Sequence, residues 1–334
     1  MNNTAETAPN KKHFVNNLVD NVRFDSFFYV EEKELRTSRQ GKPYLDLKLR
    51  DRTGFISAKI WEGAASLNEQ FGKDDYVKVR ATQEMYQNNP QLKIEMIRKA
   101  DISEVNIGDY IPVSEREPGE MLSELQGFID SIQDIWIKEI LDSFLKDESF
   151  MEQYMKGPAA KSLHHAYLGG LPEHTLSMMR ICDYLAVHYT DLNRDLLLAG
   201  AFLHDIGKIR EITPSSGFPY STEGELTGHI VIGSIMISEK AAAIDGFPQE
   251  ILNLLLHMVL SHHGEPEFGA VKRPVLREAV LLHYVDNIDA KMNMMTRYMA
   301  EKNHSQPDEL WSDKCLFMDG RRFLRIDKYY KPDI

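Results

Sequence analysis

The feature that most constrains the fold of this chain is a change in the spacing of its apolar residues. From about residue 23 to residue 97 apolar and polar side chains alternate, most clearly in residues 43–50. After a polar, Pro- and Gly-bearing segment at 114–119, apolar residues instead recur every three or four positions, as in 122–132. The first spacing is typical of half-buried strands and the second of amphipathic helices. We therefore predict a multidomain chain with a β domain followed by an all-helical domain.

The β part contains about five strands in roughly 100 residues. Turn-forming residues separate the alternating runs, notably Asp51-Arg-Thr-Gly54 and Asn88-Asn89-Pro90. A small number of short strands in this length is typical of a closed barrel of the OB type. We predict a five-stranded OB-type β-barrel in residues 14–113, after a disordered tail at 1–13.

The exposed positions of these predicted strands combine aromatic rings with positive charges. Stacking surfaces beside cations are what sequence-tolerant binding of a single strand requires. In the alternative, the aromatic residues pack against a loop or the second domain, and the cations protect strand edges. The candidate residues for binding a single strand are Tyr44, Lys48, Arg50, Lys59, Trp61, Lys78 and Arg80. Phe55 and Tyr76 are further aromatic residues expected on the exposed faces.

The helical part is divided by its linkers and turns. We predict a linker with connecting helices at 114–160, a helical domain at 161–305 and a C-terminal extension at 306–334. The periodic segments predict helices near 171–189, 194–206, 228–243, 248–262 and 275–300. Residues 213–224 read as a loop, and Asp319-Gly320 can turn a short hairpin.

Charge and cysteine content limit the class of protein. The net charge of −12 belongs entirely to residues after 113, because residues 1–113 contain 17 basic and 17 acidic residues. Bound cations would reduce that negative charge. The two cysteines, Cys182 and Cys315, form no CxxC pair, which favours a reducing compartment. With no signal-like N-terminus and no long apolar run, we predict a cytoplasmic protein without a membrane partner; its oligomeric state stays open.

Histidine is concentrated in the helical part. Ten of the 12 histidines lie between residues 164 and 283. The dipeptide His204-Asp205 ends a strongly apolar helix, and Lys208 can lie on the same helical face. A buried aspartate is costly unless it is paired or metal-bound, so an Asp205–Lys208 ion pair is the alternative to a metal site. Imidazole with carboxylate suits Mn, Fe, Zn, Co or Ni better than Mg or Ca.

Further histidines and acids lie at predicted helix ends or within apolar helices. The candidate ligands are His174, His204, Asp205, His229, His262, His263 and Asp286. Asp289 is expected to support a ligand, and His188, His257 and His283 are expected in the core or behind the ligands. His164 and His165 are candidates for substrate contact or ligand support, with packing as the alternative. The pattern predicts a metal-dependent hydrolase in which Asp205 and Lys208 are catalytic.

The order H…HD…H…HH…D resembles the HD-domain superfamily of metal-dependent phosphohydrolases. By that resemblance, Asp205 bridges two divalent metal ions, with Mn²⁺ the expected metal and Fe, Co, Ni or Zn compatible. The resemblance places His174, His204 and Asp286 around one ion. It places His229, His262 and His263 around the other, with His263 the least secure ligand.

A second resemblance spans residues 14–326. The segments DRTG (51–54), KIW (59–61), HHAYLGGLPEHT (164–175) and HDIGK (204–208) make the chain similar to the YhaM family of 3′-to-5′ exoribonucleases. The resemblance implies single-stranded RNA as the substrate, with single-stranded DNA as a further partner, and cleavage from the 3′ end to mononucleotides. Two alternatives stay open. One is an HD phosphohydrolase acting on a nucleotide or cyclic dinucleotide, with the barrel as a regulatory module. The other is a non-catalytic single-strand RNA-binding protein.

Overall fold

The computed structural model describes residues 11–38, 40–86, 89–161, 165–215, 217–305 and 309–330, with the side chains of 301–305 excepted. The described part of the chain begins with a closed five-stranded barrel of order β1-β2-β3-β5-β4. The strands are β1 (Arg23–Thr37), β2 (Pro43–Asp51), β3 (Gly54–Ile60), β4 (Tyr76–Tyr86) and β5 (Asn89–Lys99), and a short helix α1 (Ala64–Leu67) follows β3. The predicted OB-type barrel is confirmed.

The long strand β1 closes the barrel because it belongs to two strand pairs. Its first half pairs with β4 and its second half with β2, and the register with β2 shifts between Val30 and Glu32. Such a bulge bends a strand and lets a sheet curl onto itself. The alternating apolar residues of β2, such as Leu45 and Leu49, are fully buried inside.

The expected turn between β2 and β3 is present. The Asp51 carboxylate accepts hydrogen bonds from the Thr53 amide at 2.9 Å and the Thr53 hydroxyl at 2.6 Å. Of the second expected turn, Asn88 lies outside the described residues, and Asn89 already begins β5.

Helices dominate the rest of the described chain, and all of them except the last, short one contribute to one apolar core. They are α2 (Pro118–Asp130), α3 (Ile135–Leu145), α4 (Glu148–Lys156), α5 (Gly170–His188), α6 (Arg194–Leu203), α7 (Lys208–Glu211), α8 (Thr222–Ala242), α9 (Gln249–Ser261), α10 (Arg277–Ser305) and α11 (Ile326–Tyr329). None of the helices in the described ranges is long and apolar enough to cross a membrane.

Several helix boundaries differ from those expected, and two of these differences lie beside candidate ligands. Helix α6 ends at Leu203, so His204 and Asp205 lie in the turn before α7 rather than inside one continuous helix. Helix α8 begins six residues early, at Thr222, because the Ser221 side chain caps it by accepting a hydrogen bond from Gly224. Its apolar pattern is interrupted at Gly228, whose φ of 73° kinks the helix; this break explains why the spacing predicted a start at 228.

The loop between α7 and α8 contacts the barrel. A Cβ added at Gly217 would lie 2.6 Å from the Tyr29 hydroxyl, which donates to Asp74. Phe218 is buried in this loop with Ile111 and Ile212. The barrel therefore packs against the segment that joins two helices carrying site residues.

The C-terminal extension turns back on itself as expected. Two isolated antiparallel bridges join Trp311 to Leu324 and Cys315 to Arg321. Asp319 and Gly320 both have positive φ, at 55° and 69°, which is the turn geometry that Asp-Gly favours. We name residues 315–321 the C-terminal turn.

Candidate metal centre and nucleic-acid surface

Five helical segments bring the predicted ligands together. His174 lies near the start of α5, His204 caps the end of α6 with Asp205 after it, and His229 follows the Gly228 kink of α8. His262 caps the end of α9, with His263 next, and Asp286 lies in α10. Helix ends converge here because side chains at a terminus can leave the apolar stripe that packs into the core.

The Asp205 carboxylate lies at the middle of the cluster. Its Oδ2 is 3.1 Å from His204 Nε2 and 3.8 Å from His174 Nε2. Its Oδ1 is 3.5 Å from His229 Nε2 and 3.8 Å from His262 Nε2. The two oxygens therefore face two different groups of side chains.

We name these groups by their members. The first half consists of His174, His204 and Asp286, with His174 Nε2 3.3 Å from both Asp286 Oδ1 and His204 Nε2. The second half consists of His229, His262 and His263. In each half, one potential ligand atom per residue lies within 4.8 Å of the others.

The opposite ring nitrogens of four histidines are held by acceptors. Nδ1 of His204 lies 2.9 Å from the Ala201 carbonyl, and Nδ1 of His262 lies 2.7 Å from that of Val259. Carboxylates perform this task for the other two, as His174 Nδ1 is 2.7 Å from Asp289 and His229 Nδ1 is 3.0 Å from Glu211. Such contacts fix the tautomer and aim Nε2 inward, as metal-ligating histidines require.

Several inward-facing atoms lack a hydrogen-bond partner. Among the described residues these buried atoms include Asp205 Oδ1, His229 Nε2, His262 Nε2 and a ring nitrogen of His263. Buried polar atoms are normally satisfied, so a cluster of exceptions calls for an unseen partner. Imidazole nitrogen and carboxylate oxygen are a donor set suited to a divalent transition metal. The residues present therefore fit a metal ion.

The protonation states of the candidate ligands differ across the cluster. Burial holds the pKa of His262 and His263 below the ordinary histidine value, so both rings are neutral. Burial acts against protonation of His174 as well, but hydrogen bonds to Asp286 and Asp289 outweigh it and raise the pKa to about 9. Burial would raise the pKa of Asp205, but His204 and Lys208 keep it well below its usual range. The neutral rings of His262 and His263 and the ionised Asp205 carboxylate are the forms that bind metal, whereas a metal at His174 would have to displace its proton.

Lys208 is paired within the site. Its Nζ donates to Asp205 Oδ2 at 2.5 Å, and the side chain is buried. Burial disfavours its charged form, but Asp205 raises the pKa of Lys208 above the ordinary lysine value. The ion pair foreseen as the alternative to a metal site thus exists beside the candidate ligands rather than in place of them.

His165 supports a candidate ligand indirectly. Its Nε2 is 2.9 Å from Asp289 Oδ2, and its Nδ1 is 2.8 Å from the Tyr167 hydroxyl. Asp289 in turn holds His174, so His165 supports the first half through one intermediate residue. His164 lies outside the described residues.

The expectations for the remaining histidines were met in part. His283 lies behind a candidate ligand as expected, with Nδ1 2.9 Å from the His262 carbonyl. The expectation for His188 was wrong: it is exposed at the end of α5, where the apolar spacing continues after the helix has left the core. The partly buried His257 accepts a hydrogen bond from the Val275 amide at 3.0 Å.

Glu211 was missed at the sequence level. Its Oε1 accepts hydrogen bonds from both the amide and the ring of His229, at 2.9 and 3.0 Å. Ser177, which donates to Asp289, was also missed. Glu211 lies one turn after Lys208 in a segment with apolar neighbours. An acidic residue in such a segment is the sequence signal that could have identified it.

The candidate RNA-binding residues lie on two separate sides of the barrel, not on one surface as expected. Lys78 and Arg80 lie on β4, which pairs with β1 and β5, whereas the other five belong to β2, β3 and the residue after β3. Closure of the sheet separates them. Arg80 is also held by Asp25 at 2.7 and 2.9 Å. Tyr76, expected on an exposed face, is buried between Tyr29 and Tyr110.

On the β2–β3 side, aromatic rings and a cation are assembled. The Tyr44 and Trp61 rings stack with centroids 4.7 Å apart, and Lys59 Nζ lies 5.3 Å from the Tyr44 ring and 5.9 Å from the Tyr86 ring. We name Tyr44, Lys59, Trp61 and Tyr86 the aromatic face; Tyr86 was not predicted. Nearby, Lys48 lies 3.4 Å from Glu31 and Glu32, and Arg50 is partly buried.

Comparison with known proteins agrees with both parts of the chain. Residues 29–100 match the OB-fold nucleic acid binding domain family, and residues 172–291 match the HD domain family. Three similar proteins are each named 3′-5′ exoribonuclease YhaM. The protein of Shouchella clausii is 36% identical, over 92% of this chain and 95% of its own length. Those of Oceanobacillus iheyensis and Bacillus subtilis are 36% and 34% identical, over 93% and 92% of this chain and 94% of their own lengths. Since the likeness covers both domains at this identity, the chain belongs to the YhaM family of 3′-5′ exoribonucleases.

Proposed function

We propose that this chain is a metal-dependent exoribonuclease that degrades single-stranded RNA from its 3′ end to mononucleotides. The observation that carries the proposal is the Asp205 carboxylate, whose two oxygens face two groups of potential ligands. A bridging carboxylate between two clusters is the arrangement expected of a two-metal phosphodiesterase. Membership of the YhaM family supports the substrate class and the polarity.

The first half would hold one divalent ion and the second half another, with Asp205 shared between the two, and Mn²⁺ is the expected metal. Such ions neutralise phosphate charge and lower the pKa of water. Asp289 and Glu211 keep the His174 and His229 rings aimed inward. Lys208, a buried cation against Asp205, supplies further positive charge where a phosphate would lie. Transfer of a phosphoryl group depends mainly on such charge neutralisation and positioning.

The aromatic face is the proposed contact for RNA upstream of the cleaved bond. Trp61 is 52% exposed although it stacks on Tyr44, so one of its faces can receive a base. Strands β2 and β3 form the usual ligand surface of OB folds. Lys48 and Arg50 lie beside this face on β2, whereas Lys78 and Arg80 would contact a different stretch of RNA. Single-stranded DNA fits the same stacking chemistry, and a cytoplasmic location stays a prediction from cysteine content.

The test is a comparison of RNA oligonucleotides blocked at either end. Purified protein with Mn²⁺ should release mononucleotides from RNA with a blocked 5′ end and leave RNA with a blocked 3′ end intact. Chelation of the metal should stop the release of mononucleotides. Cyclic dinucleotides and free nucleotides, offered in parallel, should be poor substrates.

Each rival gives a different result in the same assay. Hydrolysis of a cyclic dinucleotide or nucleotide, without competition by long RNA, would replace the proposal with a nucleotide phosphohydrolase. RNA binding without any metal-dependent release would leave a binding protein. Equal cleavage of both blocked RNAs would contradict the 3′ polarity.

A further inference from the structure

A cavity of about 390 Å³ opens beside the metal centre. Two candidate ligands, His263 and Asp286, form part of its wall, so a molecule in the cavity lies against the reacting centre. The volume falls in the range of small-molecule sites. Three segments enclose it: the loop after α9, the middle of α10 and the C-terminal turn. The last of these lies outside the HD domain match, which ends at residue 291.

Two cations face this cavity in an otherwise acidic domain. Lys291 lies in α10 five residues after Asp286, and Arg321 ends the C-terminal turn. No described carboxylate forms an ion pair with Lys291, while Arg321 pairs only with the exposed Asp319 at 3.2 Å. An exposed ion pair of that kind is weak, so another anion can readily replace the Asp319 carboxylate. The cavity therefore offers positive charge to a phosphate beside the metal ligands.

Two phenyl rings from different segments line the same cavity. Phe317 is 62% exposed and Phe268 is 69% exposed, so both rings keep open faces. Exposed rings beside cations can receive a nucleobase by stacking. The exposed rings place apolar surface in water, which is unfavourable. A ligand that covers the rings removes this surface from water.

The segment that carries Phe317 is held in place rather than loose. Within the C-terminal turn, the amides of Gly320 and Arg321 donate to the carbonyls of Cys315 and Met318 at 2.9 and 3.0 Å. The Tyr298 hydroxyl of α10 donates to the Asp313 carbonyl at 2.9 Å. Cys315, the first residue of the turn, and Arg325, four residues after its end, are both buried. A ring presented by an anchored turn binds with little loss of conformational entropy.

We propose that this cavity holds the 3′-terminal nucleotide of the RNA, with its base against Phe317 and its 5′-phosphate, the one at the cleaved bond, between the candidate metal ligands and the cations Lys291 and Arg321. This assignment rests on the proposed exoribonuclease function. It gives the C-terminal extension a role in recognising a chain end, because the turn borders the space into which RNA would extend beyond the cleaved bond.

The test measures binding of adenosine 5′-monophosphate and of adenosine to the Mn²⁺-loaded protein by calorimetry. Phe317→Ala should weaken both ligands about tenfold, since base stacking on an aromatic ring is lost. Phe317→Tyr should restore binding. Arg321→Ala should weaken only the monophosphate, by about threefold to fivefold, the scale of one exposed charge interaction.

The same segment provides matched controls. Leu316 and Lys314 are exposed neighbours that do not line the cavity, so Leu316→Ala and Lys314→Ala should bind both ligands as the unaltered protein does. Equal melting temperatures for all variants show that the fold is retained. The KM for a 3′-hydroxyl RNA should rise about tenfold in Phe317→Ala, in parallel with the loss of nucleotide binding.

The outcomes separate the cavity from the proposed function. If Phe317→Ala binds the monophosphate as tightly as Leu316→Ala, the cavity assignment is overturned while RNA hydrolysis stands. If the unaltered protein does not hydrolyse RNA, the proposed function is overturned. In that case the binding data still decide whether Phe317 and Arg321 form a nucleotide site.

Discussion

The two halves of the candidate metal centre differ in how their polar atoms are hydrogen-bonded within the protein. In the first half, His174 contacts Asp286, His204 and Asp289, and both its histidines are fully buried. In the second half, inward-facing nitrogens of His229 and His262 have no described partner, and His229 and His263 are partly exposed. The polar atoms of the first half are hydrogen-bonded within the protein, whereas the second half has nitrogen atoms that remain available to a ligand.

The halves also differ in charge. Asp205 is shared, but Asp286 gives the first half a second carboxylate, whereas the second half adds only imidazoles. Because opposite charge attracts a divalent ion strongly in a buried site, we expect the first half to retain its metal more tightly. The second half should exchange its metal more readily. Five substitutions, grouped into four tests, probe this difference in decreasing order of expected effect.

Asp205→Ala should abolish the difference in metal affinity between the halves, because both halves share this carboxylate. We expect no bound metal and a fall in RNA hydrolysis of more than about 10³-fold, beyond the loss of a single electrostatic contact. Elemental analysis of the purified variant measures the metal, with circular dichroism as the control for folding. A variant that keeps two metals and near-normal turnover would remove Asp205 from the bridging position.

Lys208→Ala should affect chemistry without emptying either half. Loss of one electrostatic stabiliser lowers the catalytic rate by about 10²–10³-fold, with little change in RNA affinity if the charge acts on the transition state alone. Single-turnover kinetics under saturating Mn²⁺ measure it. Unchanged rates would make Lys208 only a structural partner of Asp205.

Asp289→Asn and Glu211→Gln are a matched pair, because each carboxylate holds one ligand histidine of one half. Removing such a partner typically weakens metal binding by about 10–100-fold. We expect Asp289→Asn to weaken only the tighter of two binding steps and Glu211→Gln only the weaker, as measured by metal titration. If both variants lose the same step, the halves do not bind independently.

Trp61→Ala should leave both halves unchanged and so provides the control for the comparison. We expect single-stranded RNA to bind about tenfold more weakly, because one stacked base contributes about 1–3 kcal/mol. Metal content should stay at the level of the unaltered protein. If instead melting temperature, metal content and activity fall together, Trp61 serves packing rather than RNA binding.

Much of the architecture could be predicted because local spacing determines it. Alternation at Leu45, Leu47 and Leu49 requires a strand with one buried face, and that holds whatever the partner strand is. The clustering of histidines with His204-Asp205 likewise predicted which side chains would meet, since few other reasons place so many polar residues in apolar helices. Boundaries were harder, because capping by Ser221 and the Gly228 kink are single-residue effects.

The sequence by itself determined the kinds of domain, their order and the chemistry of the ligand set, because these depend on residue type and short-range spacing. Only the tertiary structure decided which Asp205 oxygen faces which half, since that depends on how five helical segments converge. It also decided that Glu211 supports His229, and that Lys78 and Arg80 lie apart from Trp61 once the sheet closes. Contacts between residues distant in sequence depend on packing. Packing produces no regular spacing of residues from which these contacts could be predicted.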